Sequence, residues 1–300
     1  MKILIAGLKE NFQVKRFQEE GGKRGHKVDG CLASELIIYT NSDIFEPTLR
    51  GRDIAKYDLI YLMLSKRRWE WYTAALYLKE KYGTIIVNQK TVEPTYQLYL
   101  TPAIDYLKQY KVNLPFPSSA IIYSYKSIDS IIEKFKFPLI LKTAAGRQGR
   151  GVFKLNSKDE LIRKIKDLEK ESLFFVIREF IPNDGDIRVF TVGYSAIGAM
   201  KRIPPKGDFR SNISVGGRGE GFDLEKYPEI RKLAENASKI TRTEIAGVDA
   251  IIHQETGKPY ILEINPGPQF TGLEKYTGVN AAGEIVEYFE GLYNSSDDRS

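Results

Sequence analysis

The segment from Gly247 to Asn265 constrains the fold more than any other part of the chain. Two apolar, β-prone runs flank a Glu-Thr-Gly-Lys turn, a pattern that predicts a β-hairpin. Asp249, Glu263 and Asn265 lie deep in it, far from the turn. Glu263 and Asn265 are two residues apart, so they share one face of a strand, and Asp249 can face them from the partner strand. Two carboxylates and an amide oxygen suit a hard divalent cation such as Mg²⁺.

The register of this hairpin decides whether the three side chains can meet. A two-residue turn at Thr256-Gly257 would place Asp249 opposite Ile264, pointing away from the other two. An odd-length loop with a left-handed glycine, or a bulge, would place it opposite Glu263 or Asn265. We therefore predict one of these two irregularities. Buried negative charge also needs a counter-charge, which indicates metal and phosphate and hence nucleotide chemistry. The alternative is a surface hairpin with polar residues on its solvent face.

The first 88 residues alternate apolar strands with helical patterns joined by short links. This alternation predicts a parallel α/β sheet. We divide the 300 residues into an N-terminal unit 1–88, a central region 89–177, a C-terminal unit 178–293 and a flexible tail 294–300. Within these units, we predict a loop over 206–221 and a helix over 281–293.

Charge and composition narrow the function classes. The net charge of +6 is spread along the chain, which favours a mildly basic surface, or a basic site for phosphates or an acidic substrate, over a nucleic-acid binder. No apolar run reaches the ~18 residues that span a bilayer. Cys31 is the single cysteine, so disulfides are excluded and a reducing cytoplasm is expected. With only His26 and His253 beside it, a cysteine–histidine zinc site is not expected.

Two further segments carry chemistry. Leu141–Val152 is a strand, a glycine-rich loop and a second strand, in which Lys142 can reach phosphate oxygens and the glycines let backbone N–H groups close over them. An ordinary hairpin is the alternative. Phe175–Pro182 is an apolar strand that turns acidic, so backbone groups near 179–181 could pair with a purine edge. A plain sheet strand with an edge ion pair is the alternative there.

The arginines and the amide between Lys201 and Asn212 form a third candidate. Arginine forks suit phosphate and carboxylate, whereas the simpler interpretation is a solvated polar loop.

Taken in order, these segments resemble the ATP-grasp superfamily and, within it, the RimK-type carboxylate–amine (alpha-L-glutamate) ligases. The strings that carry the resemblance are the lysine of the glycine-rich lid, Arg-Glu-Phe-Ile, Asp-Phe-Arg-Ser-Asn, Gly-Gly, Gly-Val-Asp, Leu-Glu-Ile-Asn and Gly-Leu-Glu-Lys. The resemblance extends over essentially the whole chain. It implies an α/β (α+β) fold, in which a parallel α/β domain precedes two α+β subdomains that clamp ATP.

The resemblance also implies roles for individual residues. Asp249, Glu263 and Asn265 would hold two Mg²⁺ ions, with Mn²⁺ as an alternative. Arg188, Arg202 and Arg210 would act in catalysis by stabilising the transferring phosphoryl group. The residues expected to bind ATP are Lys142, Gly146, Gln148, Gly149, Glu179, Phe180, Ile181, Asp186, Arg210, Ser211 and Asn212. The implied reaction phosphorylates a carboxylate with ATP and joins it to an amine, giving ADP and phosphate.

The chain departs from the family pattern in two places. In the family, a lysine that contacts the phosphates is expected near Leu100. The segment Gln97–Thr101 contains no lysine, and Lys90 lies about ten residues earlier. Losing one charge-assisted contact costs ~1.5–3 kcal/mol. The segment Pro266–Gly272 also differs from the family's loop on the substrate side, so the specificity is expected to differ.

Two functions stay open at this point. An active ligase would take an amino-acid amine donor, with glutamate the first candidate, and a carboxylate on a peptide tail, a carrier protein or a small molecule. The alternative is a catalytically weakened nucleotide-binding protein that acts as a sensor or scaffold. No membrane or nucleic-acid partner is expected, and homo-oligomers are common among relatives.

Overall fold

The computed structural model describes residues 1–64, 69–93, 95, 102–144, 151–211 and 216–297, including the side chains of all of these except 296 and 297. Among the described residues, no helix is both long and apolar enough to cross a membrane. The part of the chain up to residue 93 contains, in chain order, β1 (Lys2–Ala6), α1 (Phe12–Lys23), β2 (Lys27–Cys31), β3 (Leu36–Thr40), β4 (Phe45–Leu49), β5 (Arg52–Asp53), β6 (Leu59–Leu62), α2 (Trp69–Tyr82) and β7 (Ile85–Val87).

The predicted parallel sheet is confirmed, with strand order β2-β1-β6-β7. Residues 3–6 of β1 are fully buried because helices cover both faces of the sheet. Helix α1 begins after Asn11, whose side chain accepts a hydrogen bond from the N–H of Val14. Its Phe17 packs on one face of the sheet, and Trp71 of α2 packs on the other.

A small antiparallel sheet of β3, β4 and β5 inserts before β6 and is absent from the sequence-based prediction. Strand β4 contains Glu46 and Pro47, two residues that disfavour strands, so its pattern does not indicate one. Ile37 and Tyr39 of β3 stay about half exposed, so the segment does not belong to the main core.

The central region forms a second, antiparallel sheet with strand order β10-β9-β11-β8. Helices α4 and α5 cover it through apolar residues such as Ile128 and Leu161. Strand β11 crosses the proposed boundary between 177 and 178, and this boundary, like the others, stays a prediction. The elements are α3 (Pro102–Lys111), β8 (Ser119–Ile122), α4 (Ile128–Ile132), β9 (Leu139–Thr143), β10 (Val152–Leu155), α5 (Lys158–Leu168) and β11 (Phe175–Glu179).

The third sheet is antiparallel, with strand order β14-β13-β12-β15-β16, and helix α6 packs on one face of it. The helix predicted over 281–293 continues through Asp297, so residues 294–297 of the predicted tail are helical. The elements are β12 (Asp186–Val192), β13 (Ser195–Ile203), β14 (Arg218–Phe222), α6 (Pro228–Ile240), β15 (Ile245–Ile252), β16 (Pro259–Asn265), α7 (Thr271–Thr277) and α8 (Ala281–Asp297).

The loop predicted over 206–221 is wrong at its end, where β14 pairs with β13. The glycines that indicated a loop leave room for an aromatic ring instead. A Cβ atom on Gly219 would lie 2.3 Å from the ring of Tyr276 in α7, so only glycine lets this helix pack on the strand.

One hydrophobic core joins the first sheet to the C-terminal helices. The rings of Phe17 and Phe270 meet edge to face at 5.1 Å, and those of Tyr61 and Phe289 at 5.8 Å. Phe270 directly precedes α7, so this packing holds the segment after β16 against the carboxyl end of β6. The cleft described below opens along this junction.

Candidate active site

The bulge predicted in the Gly247–Asn265 hairpin is confirmed. Asp249 pairs with Glu263, whereas the next residue, Ala250, pairs with Ile261, so Leu262 is the extra residue. The bulge turns Asp249 and Glu263 into directly opposite neighbours on one face. The amide nitrogen of Asn265 donates a hydrogen bond of 3.0 Å to a carboxylate oxygen of Glu263.

Arg178 stabilises this bulge from the neighbouring sheet. Its guanidinium donates to the carbonyl oxygen of Leu262 at 3.1 Å and to the hydroxyl of Tyr106 at 2.6 Å. Arg178 is only 4% exposed and lies in β11. It is absent from the predicted site set because its sequence context is that of a plain strand residue. In the structure Arg178 supports the hairpin Gly247–Asn265 at its bulge.

Two arginines bind the carboxylate of Asp249. Arg188, its partner across β12 and β15, contacts both carboxylate oxygens at 2.7 Å, and Arg202 contacts one at 2.8 Å. Although burial raises the pKa of Asp249, the two guanidinium groups hold it well below its usual range. Asp249 is therefore ionised and charge-compensated at neutral pH.

Asp186 completes this cluster. Its carboxylate accepts a hydrogen bond from Arg202, which lies opposite it across β12 and β13. Burial raises the pKa of Asp186 to about 6, against the opposing effect of Arg202. Burial disfavours the charge of Arg202, but the carboxylates of Asp249 and Asp186 raise its pKa above the ordinary value. The cluster thus alternates carboxylates with guanidinium groups, and most of these groups are buried.

Lys142 ends β9 on the other side of the cleft. Burial, and to a smaller extent the charge of Arg178, lowers its pKa to about 8, while Glu263, Asp249 and Asp186 act in the opposite direction. No described residue forms a hydrogen bond or ion pair with its ammonium group. A partly desolvated cation without a local partner is suited to bind an anionic ligand such as a phosphate.

Some backbone groups of the predicted purine-binding strand already form hydrogen bonds within the protein. The N–H of Glu179 donates to the carbonyl of Ser118 at 2.9 Å, and the carbonyl of Ile181 accepts from the side chain of Asn183 at 2.7 Å. The ammonium of Lys154 lies 3.6 Å from the ring centroid of Phe180. Asn183, which is not in the predicted set, also lines the cleft. The segment offers one apolar ring and polar groups on either side of it.

Arg210 is held by a carboxylate of its own loop. Its guanidinium contacts Asp208 at 2.7–3.1 Å, and its backbone N–H donates to the same carboxylate at 2.9 Å. The hydrogen bond from Arg210 lowers the pKa of Asp208 to about 2. Three arginines of the predicted set thus bind carboxylates of the protein in this structure.

All described residues of the predicted set line one cleft of about 860 Å³. The cleft therefore brings together residues from six strands of the second and third sheets and from two loops. Their individual roles remain predictions, and Gly146, Gln148, Gly149 and Asn212 lie outside the described residues. The lining members are Lys142, Glu179, Phe180, Ile181, Asp186, Arg188, Arg202, Arg210, Ser211, Asp249, Glu263 and Asn265.

The N-terminal sheet closes the other end of this cleft. Leu62, Leu64 and Tyr72 line it together with the segment 266–269. The side chain of Asn88, which follows β7 with a left-handed backbone (φ 57°), donates to the carbonyl of Pro266 at 2.5 Å. The carboxyl ends of β6 and β7 therefore contact the loop that departs from the family pattern.

Lys90 does not replace the lysine expected near Leu100. It is 6% exposed, and its ammonium donates to the carbonyl of Thr241 at 3.0 Å and to the hydroxyl of Thr243. It does not line the cleft. Burial lowers its pKa to about 8. Lys90 attaches the segment after β7 to the loop between α6 and β15, and the expected position near Leu100 lies outside the described residues.

The string Gly-Leu-Glu-Lys, which carried part of the resemblance, contributes a residue that connects α7 to α1. Glu274 accepts from the guanidinium of Arg16 in α1 at 3.0 Å and from the backbone N–H of Ala282 at 3.1 Å. The backbone N–H of Phe270 donates to the side chain of Gln13, also in α1, at 2.8 Å. These contacts connect α7 to the first sheet and hold the loop before it in place.

The donor set at the hairpin fits a hard cation. Two carboxylates and one amide oxygen lie on adjacent strands, and oxygen ligands of this kind are those that Mg²⁺ prefers. The amide nitrogen of Asn265 bonds Glu263, which leaves the amide oxygen available. The described residues contain no group of three or more acidic, histidine or cysteine side chains that could hold a metal. Any metal here would therefore depend on the amide and on ligand oxygens.

Comparisons with known proteins agree on one family. The model of the RimK-like ATP-grasp domain matches residues 102–289. A probable alpha-L-glutamate ligase of Shewanella loihica is 29% identical in an alignment that covers 97% of this chain and 95% of that protein. The chain has the fold of the ATP-grasp ligase PsnB, solved with a precursor variant, Mg and ADP (TM-score 0.72, 20% identity, 97% of this chain and 98% of that one).

A RimK domain protein of Sphaerobacter thermophilus has the same fold, with a TM-score of 0.71 and 16% identity over 96% of this chain and 99% of that one. The sequence strings, the three sheets and the cleft between them agree with these similarities. The chain belongs to the RimK-like ATP-grasp family.

Proposed function

We propose that this protein is an ATP-dependent ligase that joins a carboxylate to an amine through an acyl-phosphate intermediate. The observation that carries the proposal is the bulge that sets Asp249 opposite Glu263, with Asn265 beside them, in a cleft that also contains Lys142 and the arginines. Such a cleft combines oxygen ligands for a metal with cations for phosphates, which is what phosphoryl transfer requires.

In the proposed reaction, an oxygen of the substrate carboxylate attacks the γ-phosphorus of ATP, and ADP leaves. The amine then attacks the acyl carbon, loses a proton and expels phosphate, so that the amide retains one of the two carboxylate oxygens. Positioning and charge neutralisation supply most of the rate enhancement, so no protein nucleophile is needed.

Individual residues have proposed roles in these steps. Asp249, Glu263 and Asn265 would hold two Mg²⁺ ions, which would supply charge neutralisation for the phosphates when bound. Lys142, with the lid residues Gly146, Gln148 and Gly149, would hold the phosphates.

The remaining residues of the set would bind the base and ribose or stabilise the transferring group. Phe180 would pack on the adenine. Arg188 and Arg202 would stabilise the phosphoryl group, and each would release part of its contact with the carboxylates to do so. The others proposed to bind ATP are Glu179, Ile181, Asp186, Arg210, Ser211 and Asn212.

For the amine donor we propose an amino acid, with glutamate first because relatives carry the name probable alpha-L-glutamate ligase. The acceptor would be a peptide tail, a carrier protein or a small molecule, and several neighbours of the same fold are solved with precursor peptides. The single cysteine supports a cytoplasmic location. A homo-oligomer is part of the proposal.

A phosphate-release screen tests this function. Each amino acid is supplied with ATP, Mg²⁺ and candidate carboxylates, and mass spectrometry reads the product for the added mass. The proposal expects ADP formation that needs both Mg²⁺ and a substrate pair. The variant Glu263→Ala with full activity would contradict the metal role.

The second candidate is a nucleotide-binding protein with weakened catalysis. The attachment of Lys90 to Thr241 and Thr243 favours it, since this lysine is then not available for phosphates. ATP binding without turnover of any pair in the screen would support this alternative over the ligase.

A further inference from the structure

Thr91 lines the candidate cleft, and its hydroxyl has no hydrogen-bond partner among the described residues. Thr91 is only 5% exposed, and its side-chain oxygen is buried and unpaired among the described residues. It also lines the cleft. A buried hydroxyl that lacks a partner is unfavourable, because it has lost its water without replacement. An unpaired group that borders a ligand cleft therefore indicates a partner supplied by the ligand.

The platform that carries Thr91 is rigid. Thr91 lies in the short 3₁₀ helix Gln89–Val92 after β7. The side chain of Asn88 bonds the carbonyl of Pro266, the N–H of Gln89 donates to Glu244 at 2.8 Å, and Lys90 bonds Thr241 in the loop between α6 and β15. Three consecutive residues thus attach this turn to the segments that flank β15 and β16. The backbone that carries Thr91 is consequently held in place by these contacts.

Thr91 lies on a different element from the predicted nucleotide residues. It belongs to the turn after β7, three residues beyond Asn88, whose side chain bonds the carbonyl of Pro266. A Cβ atom on Gly267 would lie 3.5 Å from Met63, the residue after β6. The purine strand and Lys142, by contrast, belong to the second sheet. Thr91 therefore lines the cleft near the loop that differs from the family pattern.

We propose that the Thr91 hydroxyl donates a hydrogen bond to a carboxylate oxygen of the amino-acid substrate. This inference rests on the proposed function, in which the amine donor is an amino acid whose own carboxylate does not react. A carboxylate accepts hydrogen bonds only, and a charge-assisted bond from a fixed, desolvated hydroxyl discriminates strongly between ligands. Thr91 would thus orient the donor and contribute to specificity.

Titration of L-glutamate into the full-length protein, saturated with Mg²⁺ and ADP, tests this proposal. The variant Thr91→Val keeps the shape of the side chain and removes the hydroxyl. We expect it to weaken L-glutamate binding about tenfold, equal to about 1.4 kcal/mol, with the affinity for ADP unchanged. Thr91→Ser, which keeps a hydroxyl, should retain binding within about threefold.

Thr191 provides a matched control. Its hydroxyl is also fully buried and unpaired among the described residues, but Thr191 does not line the cleft. Thr191→Val should leave L-glutamate binding unchanged. Thermal unfolding of the ligand-free protein should show no loss for Thr91→Val, because the hydroxyl has no partner to lose. A marked loss would indicate a structural role and overturn the inference.

The remaining outcomes are distinguishable. Equal L-glutamate affinity of wild type and Thr91→Val, or no L-glutamate binding by a wild type that binds ADP, would overturn the role of Thr91 and leave nucleotide binding intact. Weaker ADP binding in Thr91→Val would assign the hydroxyl to the nucleotide and also overturn it. A wild type that binds no ADP with Mg²⁺ would contradict the proposed function itself, and the inference with it.

Discussion

The guanidinium of Arg188 contacts both carboxylate oxygens of Asp249 at 2.7 Å, across paired strands of the third sheet. Asp249 is thus a metal-ligand candidate that is fully charge-compensated by the protein itself. Arg202 adds a third contact at 2.8 Å. The same two arginines are the candidates for stabilising the phosphoryl group. In this structure their guanidinium groups pair with a carboxylate of the protein instead.

This relationship predicts that Asp249 and Glu263 differ in what they contribute. Asp249→Asn removes the charge shared by Arg188 and Arg202, so we expect the free energy of unfolding to fall by ~3 kcal/mol. Glu263 is exposed and bonds only the amide of Asn265 among the described residues. Glu263→Gln should change stability by less than ~0.5 kcal/mol. Urea unfolding measures both, and an equal loss in the two variants would contradict the assignment.

A second prediction concerns Arg178. Replacing it with Met keeps most of the apolar stem and leaves the carbonyl of Leu262 without its donor. We expect a loss of stability of ~1–3 kcal/mol and, because the bulge aligns Asp249 with Glu263, about tenfold weaker Mg²⁺-dependent ATP binding. Ser119→Ala is the control, since the Ser119 hydroxyl accepts a long 3.3 Å bond from Arg178 and donates to the carbonyl of Pro117 at 2.8 Å, without contacting Leu262 through any described hydrogen bond. Unchanged ATP binding in Arg178→Met would show that the bulge does not need this support.

The pKa of Lys142, lowered to about 8, predicts a pH-dependent nucleotide affinity. Phosphates bind the ammonium form, which predominates below pH 8 and is lost above it. We therefore expect ATP affinity to be nearly constant near pH 7 and to fall by up to about fivefold between pH 8 and pH 9. Lys142→Arg stays charged and should remove this fall. Equilibrium binding of ATP at fixed Mg²⁺ measures this fall in affinity. The same fall in Lys142→Arg would show that another group causes the pH dependence.

Lys90 predicts a pH effect on stability instead. Its folded pKa of about 8 lies below the ordinary lysine pKa of 10.5, so the unfolded chain binds more protons between these values. Its contribution to the free energy of unfolding should therefore rise with pH in this window, by up to ~1.4 kcal/mol per pH unit. The difference in stability between wild type and Lys90→Met, measured from pH 8 to pH 10, should rise accordingly. A flat difference would contradict the buried position of this ammonium.

The sequence predicted those parts of the fold that follow from local periodicity and from complete strings of residues. The parallel sheet follows from buried apolar strands, and the bulge follows from the need to bring Asp249 beside Glu263. Strand β14 could not be predicted, because its glycines are required by the packing of Tyr276, a residue distant in the sequence. The same holds for Arg178 and Thr91, whose significance depends on Leu262 and on the cleft rather than on their neighbours in the chain.

The pairing of the arginines with carboxylates also could not be predicted from the sequence. Arg188 and Arg202 were predicted as catalytic residues from a resemblance, and no local pattern shows that they contact Asp249 and Asp186. That arrangement depends on the registers of β12 with β13 and β15, which place Arg188 opposite Asp249 and Arg202 opposite Asp186. Their role in catalysis remains a prediction.

The transfer of oxygen from the substrate carboxylate to phosphate tests the central claim most directly. The pair identified by the phosphate-release screen is used with its carboxylate labelled with ¹⁸O, and the released phosphate is analysed by mass spectrometry. If the carboxylate attacks the γ-phosphorus to form an acyl phosphate, each phosphate carries one oxygen from the carboxylate, and the other nucleotide product is ADP. Phosphate without ¹⁸O, or AMP with pyrophosphate, would contradict the account.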